Sequence, residues 1–230
     1  MSQLPTKTSP KSSTIIESSD KVDSTRKRIL LKAGPIFASK GFRATTVREI
    51  CESADVNVAS INYYFGDKHQ LYIEAVILAR QLRVEEVPYP TWNTATPPEQ
   101  KLTDFIGLIL ERLVAMESEP WQVRLLMREI QEPTEACRHL VKEYFKPFFE
   151  MLLVIVDDII GARLEDHRRN QIGFSIIGQC LYYRFASELT ILMSGKDDFQ
   201  TNFDRASLAK HVTQFSLGAI ESIKQELNEA

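Results

Sequence analysis

Apolar residues recur every three or four positions along most of this 230-residue chain. The spacing is clearest in three runs: Leu71, Ala75, Leu78 and Leu82; Leu140, Tyr144, Phe148, Leu152, Ile155 and Ile159; and Leu208, Val212, Phe215 and Ala219. These intervals put apolar side chains on one side of an α-helix, whereas a half-buried strand alternates every second residue. No sustained two-residue alternation bounded by turn residues occurs in the sequence. The sequence therefore predicts an all-α fold.

Proline and glycine divide the helical pattern. The segment from Val87 to Pro98 contains four prolines, which lack the backbone donor that continues a helix. We expect Gly41 to cap the first helix and Pro35 to bend it. The first 20 residues hold nine Ser or Thr and few large apolar side chains, so they cannot offset their ordering entropy. The predicted organisation is a disordered tail over 1–21, a first domain over 22–86, a linker over 87–98 and a second domain over 99–230.

The formal net charge of −3 gives, for the whole chain, no indication of nucleic-acid binding. The charge is unevenly distributed, however. Residues 1–83 carry 13 basic and 8 acidic side chains, and residues 84–230 carry 15 basic and 23 acidic side chains. The whole-chain charge therefore averages a basic N-terminal region, suited to phosphates, and an acidic remainder.

Three widely spaced cysteines, Cys51, Cys137 and Cys180, fit neither a disulfide framework nor a paired metal or redox motif. We expect reduced, buried thiols in a cytoplasmic protein, with oxidant sensing by a single thiol as the less favoured alternative. No signal core or apolar stretch of membrane-spanning length is present, so we expect no membrane partner.

Catalytic motifs are absent from the sequence. It has no glycine-rich phosphate loop and no Ser-His-Asp ordering, and its four histidines show no metal-ligand spacing with Glu or Cys. We expect no enzymatic activity, no metal and no cofactor.

Two short helices are predicted within about twenty residues of the basic region. Thr46 and Glu49 have the capping-box spacing, in which the Thr46 hydroxyl accepts from the Glu49 amide and the Glu49 carboxylate reaches back to the Thr46 amide. That helix runs to about Ala54. Asn57 then favours a turn and a new N-cap, and a second helix follows over about Val58 to Tyr64. Two helices joined this tightly indicate a helix-turn-helix, whose second helix enters the DNA major groove.

The run from Ile29 to Val76 resembles the N-terminal domain of the TetR family of transcriptional regulators. The resemblance rests on Lys40-Gly-Phe-Arg-Ala-Thr-Thr-Val-Arg-Glu-Ile50 and Ala54-Asp-Val-Asn-Val-Ala-Ser-Ile-Asn-Tyr-Tyr-Phe-Gly-Asp-Lys68. It implies a three-helix DNA-binding domain joined to a larger helical bundle for ligand binding and dimerisation. In that second region, residues 127–136 and 176–186 resemble the CecR-like branch of the family.

Candidate DNA contacts lie on the two short helices and the start of the next. Helix N-termini and hydroxyl groups hold phosphates, and Asn can pair with adenine in the major groove. Ile61 and Phe65 are instead predicted to pack in the core. Val58 stands where the family often has a basic or small polar residue. The candidates are Thr45, Thr46, Asn57, Val58, Ser60, Asn62, Tyr63, Tyr64 and Lys68.

The helix predicted over about Arg168 to Met193 carries two apolar stripes, which need two partners. One stripe holds Phe174, Ile177, Leu181 and Phe185. We assign the other stripe and the last helix to a homodimer interface, with burial inside a single monomer as the alternative. The predicted interface residues are Ile172, Ile176, Cys180, Tyr183, Leu208, Val212, Phe215 and Ala219.

Large side chains in the second region suggest an apolar ligand cavity with a few polar anchors. Each of them also fits an ordinary core, since aromatic residues at helical spacing are usually packed inside. Pro147 is expected to kink its helix. The candidate ligand contacts are Phe105, Trp121, Arg124, Met127, Arg128, Phe148 and Tyr182.

These observations lead to one functional prediction and one alternative. The chain is predicted to be a ligand-responsive repressor that binds a palindromic double-stranded operator as a homodimer and is released by an unknown small-molecule effector. The alternative is a helical protein-interaction module without specific DNA binding.

Overall fold

The computed structural model describes the backbone of residues 13–113 and 120–229, with side chains from Ser24 onward. This part of the chain contains helices and no strand, which confirms the predicted all-α fold. The helices are α1 Ser13–Ala44, α2 Val47–Ala54, α3 Val58–Phe65, α4 Lys68–Glu86, α5 Pro98–Leu113, α6 Trp121–Gln131, α7 Glu135–Leu140, α8 Lys146–Ile160, α9 Asp166–Phe185, α10 Ser187–Ser194, α11 Lys196–Asn202 and α12 Arg205–Glu229. A π-helical turn, Val141–Phe145, joins α7 to α8.

The chain forms two compact units, one up to Leu78 and one from Ala79 onward. The division lies inside α4, eight residues before the boundary predicted at Glu86. The proline-rich segment follows the end of α4, its last residue, Pro98, begins α5, and the whole segment lies within the second unit. One reason is that the Val87 carbonyl accepts hydrogen bonds from Arg112 of α5 at 2.8 and 3.0 Å. Long-range bonds of this kind leave no pattern in the sequence.

The predicted disordered tail over residues 1–21 lies partly outside the described residues. The backbone is helical from Ser13, where α1 begins. The backbone also stays helical through Pro35, and the break in α1 comes at Gly41, which has φ 78° and ψ 171°. A positive φ is accessible to glycine because it has no Cβ.

The first unit is built around apolar residues from four helices. Ile61 and Phe65 of α3 are buried, as predicted, together with Ile50 of α2. Phe37 of α1 packs edge-on against Tyr72 of α4, with ring centroids 4.9 Å apart. This packing fixes α3 by one side and leaves its other side exposed.

The second unit has a continuous core formed by α5, α8, α9 and α12. At the junction of α8 and α9, the buried Arg169 guanidinium makes two bonds to the Asp157 carboxylate, at 3.1 and 2.8 Å. Gly173 allows close approach of the same two helices, since a Cβ there would lie 2.6 Å from the Phe149 ring. No helix in the described part of the chain is long and apolar enough to cross a membrane.

The π-helical turn occurs where Pro147 enters α8. Proline removes a backbone donor and its ring clashes with the carbonyl four residues earlier, so the preceding turn widens. The helical backbone continues from Glu135 through this turn to Ile160, so Pro147 changes the helix locally and does not end it. Tyr144 lies within the widened turn.

Candidate DNA-binding surface and ligand cavity

Thr46 is the N-cap of α2, as predicted. Its side-chain oxygen accepts a hydrogen bond from the Glu49 amide at 3.2 Å. The second half of the predicted capping box is wrong, because the Glu49 carboxylate pairs with the Lys40 ammonium group instead of the Thr46 amide. Thr46 is exposed, and its own hydroxyl proton remains available as a donor.

Asn57 caps α3 in the same way. Its side-chain oxygen accepts from the Ser60 amide at 2.9 Å and from the Ser60 hydroxyl at 3.0 Å. Because the oxygen receives both bonds, the exposed NH₂ group of Asn57 is available as a donor. The N-termini of α2 and α3 thus each present one side-chain donor.

The outward side of α3 is polar and aromatic. Val58 is 51% exposed and Tyr63 is 75% exposed, while Asn62 is also exposed. Ser60 and Tyr64 are half-buried, and Tyr64 lies edge-on to Tyr63 with ring centroids 5.0 Å apart. Since the opposite side of α3 is held in the core, these side chains form an outward polar and aromatic surface.

Thr45 does not belong to this surface, contrary to the prediction. It is 1% exposed, and its hydroxyl donates to the Gly41 carbonyl at 2.8 Å. This bond stabilises the turn between the break in α1 and the start of α2. Of the two adjacent threonines, only Thr46 is accessible to a partner.

Lys68 also has a different role from the one predicted. Its ammonium group donates to the carbonyl oxygens of Phe42 and Thr45, at 2.9 and 2.8 Å. It lies 4.4 Å from the centroid of the Phe42 ring, within cation–π distance. Two of its three N–H donors therefore hold the segment that leads into α2 and do not face outward.

The second unit contains a cavity of about 550 Å³. Most of its lining side chains are aliphatic or aromatic, and they come from α5, α6, the π-helical turn, α8 and α9. Its polar lining consists of Arg80, Arg83, Arg112, Tyr144 and Lys146. The apolar lining consists of Ile109, Leu113, Val123, Leu126, Met127, Ile130, Val141, Phe145, Phe148, Phe149, Phe174, Ile177 and Leu181.

Two of the seven predicted ligand contacts, Met127 and Phe148, line this cavity. Phe105 is fully buried behind Phe148, with the two rings stacked at 4.5 Å. The other four predicted contacts are absent from the cavity lining: Trp121, Arg124, Arg128 and Tyr182. Arg124 and Tyr182 are exposed, because their helix faces point away from the shared core.

The cavity's polar groups were not assigned from the sequence. Arg83 donates to the carbonyls of Arg112 and Glu111 and pairs with the Glu86 carboxylate at 2.7 Å. A signal for Arg112 does exist, since it follows Phe105 and Ile109 at helical spacing and so lies on the apolar stripe of α5. A charged residue on a buried apolar stripe is rare unless it pairs with another polar group or belongs to a binding site.

Tyr144 connects the polar groups. Its hydroxyl oxygen accepts from the Arg112 guanidinium at 2.9 Å, and the Arg80 guanidinium carbon lies 5.2 Å from its ring centroid. Burial raises the pKa of the Tyr144 phenol, although the neighbouring Arg112 charge opposes that rise. The phenol consequently keeps its proton at neutral pH.

The predicted dimer stripe is largely wrong. Four of its members are buried in the protomer's own core: Ile176, Cys180, Leu208 and Val212. Ile172 and Tyr183 pack partly buried against the same core. Only Phe215 and Ala219 are exposed. The sequence shows two apolar stripes on α9, but long-range packing decides which one is covered.

The exposed apolar side chains of α9 do not coincide with the other predicted stripe, because Ile177 and Leu181 of that stripe are half-buried and line the cavity. Phe174 is 64% exposed, and Tyr182 and Phe185 are also exposed. On α12, Phe215 is 63% exposed. A contiguous patch of large exposed apolar side chains is typical of an interaction site. Within the described residues, no cluster of three His, Cys, Asp or Glu side chains could hold a metal ion.

Comparison with known families agrees with both parts of the structure. Residues 29–75 match the family described as bacterial regulatory proteins, tetR family, and residues 98–220 match the C-terminal domain of the HTH-type transcriptional dual regulator CecR. The second match covers more than half of the chain. The chain belongs to the TetR family, in its CecR branch. TetR-family membership makes it a DNA-binding transcriptional regulator, and its relatives and fold are those of regulators, not of enzymes.

Individual relatives of this TetR-family chain include two curated regulators. The dual regulator CecR of Shigella flexneri is 26% identical over 184 residues, covering 76% of this chain and 82% of the relative. The transcriptional repressor KstR2 of Mycolicibacterium smegmatis is 31% identical over 112 residues, covering 46% of this chain and 50% of the relative. A solved structure of similar fold is a transcriptional regulator from Saccharomonospora viridis in complex with choline. It has a TM-score of 0.55 and 16% identity, and covers 84% of this chain and 95% of its own.

Proposed function

We propose that this TetR-family regulator binds a palindromic operator as a homodimer, represses transcription there, and is released when a small molecule occupies the cavity of the second unit. It acts in the cytoplasm, where operator DNA is found. Repression is supported by the similarity to KstR2, which is a transcriptional repressor. Ligand control is supported by the presence of the cavity.

The continuity of α4 is the observation that carries this proposal. Its first residue, Lys68, holds the segment leading into α2, and its last turns supply Arg80 and Arg83 to the cavity. A ligand that binds better to one placement of α4 shifts the protein toward that placement. Linkage requires that operator DNA weaken the binding of the same ligand by an equal factor.

The exposed apolar residues of α9 and α12 support dimerisation. Each protomer has exposed apolar side chains that a two-fold related copy can cover. They are Phe174, Tyr182 and Phe185 of α9 and Phe215 and Ala219 of α12. A dimer of this kind presents two copies of α3, and successive major grooves are about 34–36 Å apart. The half-sites of the operator are therefore expected one helical turn apart.

The contacts to DNA follow from the exposed donors. The Thr46 hydroxyl and the Asn57 NH₂ group are proposed to donate to phosphate oxygens, and so to fix the register of the protein on DNA. Asn62 and Val58 are proposed to face base edges, with Tyr63 beside them. The Val58 side chain can contact a thymine methyl group but cannot hydrogen-bond to a base. We therefore expect Val58 to favour thymine at the base pair that it faces.

Fluorescence anisotropy with promoter fragments tests the proposal. The chain is expected to bind one fragment containing an inverted repeat at least a thousandfold more tightly than bulk DNA. Asn62→Ala is expected to weaken that binding about tenfold and to reduce base discrimination, whereas Ser53→Ala, on an exposed part of α2, serves as the matched control. If no palindromic fragment binds better than bulk DNA at low salt, specific DNA recognition is excluded.

The same experiment addresses the protein-interaction alternative. A module that uses α3 to contact a protein is expected to keep its weak DNA binding unchanged in Tyr63→Ala. A DNA reader is expected to lose affinity in Tyr63→Ala while its circular dichroism and its mass in solution stay the same. Loss of affinity together with loss of helicity supports neither function, so Tyr63→Phe provides a variant that preserves the packing against Tyr64.

A further inference from the structure

All the charged residues that line the cavity of the second unit are positive. They are Arg80, Arg83, Arg112 and Lys146, and the described lining of the cavity contains no Asp or Glu. Apart from Tyr144, the remaining lining side chains are apolar. An occupant of the cavity therefore meets apolar walls and positive charge at the same time.

Arg112 carries its charge without a carboxylate partner among the described residues. Nε and Nη2 donate to the Val87 carbonyl, and Nη1 donates to the Tyr144 hydroxyl. All of these acceptors are neutral, yet Arg112 is only 4% exposed. Removing a charge from water is costly, and buried guanidinium groups are normally compensated by an anion. Besides these neutral acceptors, the Arg112 charge is offset by the Tyr89 ring, whose centroid lies 4.3 Å from the guanidinium carbon, and by no carboxylate among the described residues.

Arg80 and Arg83 differ in this respect. Arg83 is compensated by the Glu86 carboxylate at 2.7 Å. Arg80 lies over the Tyr144 ring and has no carboxylate partner in the described part of the chain. Two cations that lack a carboxylate partner among the described residues, Arg80 and Arg112, thus lie next to the same tyrosine.

Tyr144 adds a neutral donor to the pair. Its oxygen already accepts from Arg112, so its own proton is available to an acceptor in the cavity. Burial raises the pKa of this phenol, which keeps the proton in place at neutral pH. Arg80, Arg112 and Tyr144 together give one part of the cavity lining two positive charges and a phenol proton, and the described lining contains no carboxylate.

We propose that the cavity binds an amphipathic monocarboxylate, with its head against Arg80, Arg112 and Tyr144 and its apolar body along Met127 and Phe148. The volume of about 550 Å³ lies in the range of cavities that enclose small organic ligands. The inference names the ligand class for the cavity and rests on the proposed function only in taking that cavity as the effector site.

A cationic ligand is the main competitor, because aromatic walls can hold a quaternary ammonium group. The Saccharomonospora viridis regulator of similar fold was solved with choline. In the present cavity such a ligand meets Arg80 and Arg112 as like charges, which disfavours it. Ligands with the same chain and different heads separate the two possibilities.

Calorimetry on the full chain, without DNA, is the test. Decanoate, 1-decanol and decyltrimethylammonium share an apolar chain and differ in head charge. Decanoate is expected to bind about tenfold or more tightly than decanol, and the ammonium compound more weakly than either. Equal affinities for decanoate and decanol, preference for the ammonium compound, or no binding by any of the three overturns the proposal.

Amino-acid substitutions in the cavity lining test where the carboxylate head group of decanoate binds. Tyr144→Phe and Arg80→Gln are each expected to weaken decanoate binding about tenfold and to leave decanol binding unchanged. Arg124→Gln removes an exposed arginine outside the cavity lining and is the matched control. A variant that weakens both ligands equally indicates a change in cavity shape, which contradicts the proposed carboxylate contact.

The outcome is separate from that of the proposed function. Binding of decanoate without release of operator DNA supports the ligand class and contradicts the release mechanism. Release of DNA by a neutral ligand that binds more tightly than decanoate supports the release mechanism and overturns the ligand class.

Discussion

Lys68 donates a hydrogen bond from its ammonium group to the carbonyl oxygen of Thr45, at 2.8 Å. The same group bonds the Phe42 carbonyl, so one side chain at the start of α4 fixes both ends of a four-residue segment. That segment contains Thr45, which is itself held by the Gly41 carbonyl. The entry to the helix-turn-helix is thus positioned by bonds within the first unit.

Lys68→Gln is expected to lower the free energy of unfolding by about 1–3 kcal/mol, because two partly buried carbonyls lose a charged donor. Urea denaturation measures this, with Lys32→Gln, an exposed lysine of α1, as the control. If Lys68→Gln unfolds like the wild-type chain but loses DNA affinity, Lys68 is a phosphate contact and the positioning role is wrong.

Gly173→Ala is expected to destabilise the second unit by about 1 kcal/mol or more. The added Cβ would lie 2.6 Å from the Phe149 ring and 2.9 Å from Leu153, so both side chains must move. Gly107→Ala is the matched control, since a Cβ there meets nothing within 4 Å and alanine favours a helix by about 1 kcal/mol. Equal stabilisation of both variants in thermal unfolding contradicts the close approach of α8 and α9.

Asp204 is expected to stabilise α12 in a pH-dependent way. Its carboxylate accepts from the Ser207 hydroxyl at 2.6 Å and from the amides of Ser207 and Ala206, and these bonds lower the pKa of Asp204. A lowered folded-state pKa means that the stabilisation is present above the ordinary pKa of about 3.9 and is lost as the pH falls through the folded-state value.

The measurement compares the melting temperature of Asp204→Ala with that of the wild-type chain at several pH values. The difference is expected to be clear at pH 7 and to shrink below about pH 4. Glu221→Ala, an exposed carboxylate in the middle of α12, is the control. A difference of the same size at pH 7 and pH 3 contradicts the capping role.

Cys180 is expected to resist alkylation in the folded chain. It is fully buried, and burial raises its pKa to about 12, so the reactive thiolate does not form at pH 8. Cys137 is partly exposed and is expected to react first when iodoacetamide is added and the products are mapped by mass spectrometry. Modification of Cys180 without unfolding would support oxidant sensing, the less favoured interpretation of the sequence.

The local features of the DNA-binding unit were predictable because they depend on neighbours in the sequence. Thr46 and Asn57 cap helices through bonds that span three residues, and such bonds leave a recognisable spacing. The break at Gly41, and in the second unit the π-helical turn before Pro147, also follow from the backbone chemistry of single residues.

The sequence by itself therefore determined the helical class, the helix-turn-helix and the family. Only the tertiary structure decided that Thr45 is buried beside an exposed Thr46, and which apolar stripe of α9 lies in the core. It also decided that Arg112 faces a cavity beside Tyr144, 32 residues away in the chain. Each of these depends on which helix covers which face, and that is set by packing between distant segments whose contacts leave no fixed spacing.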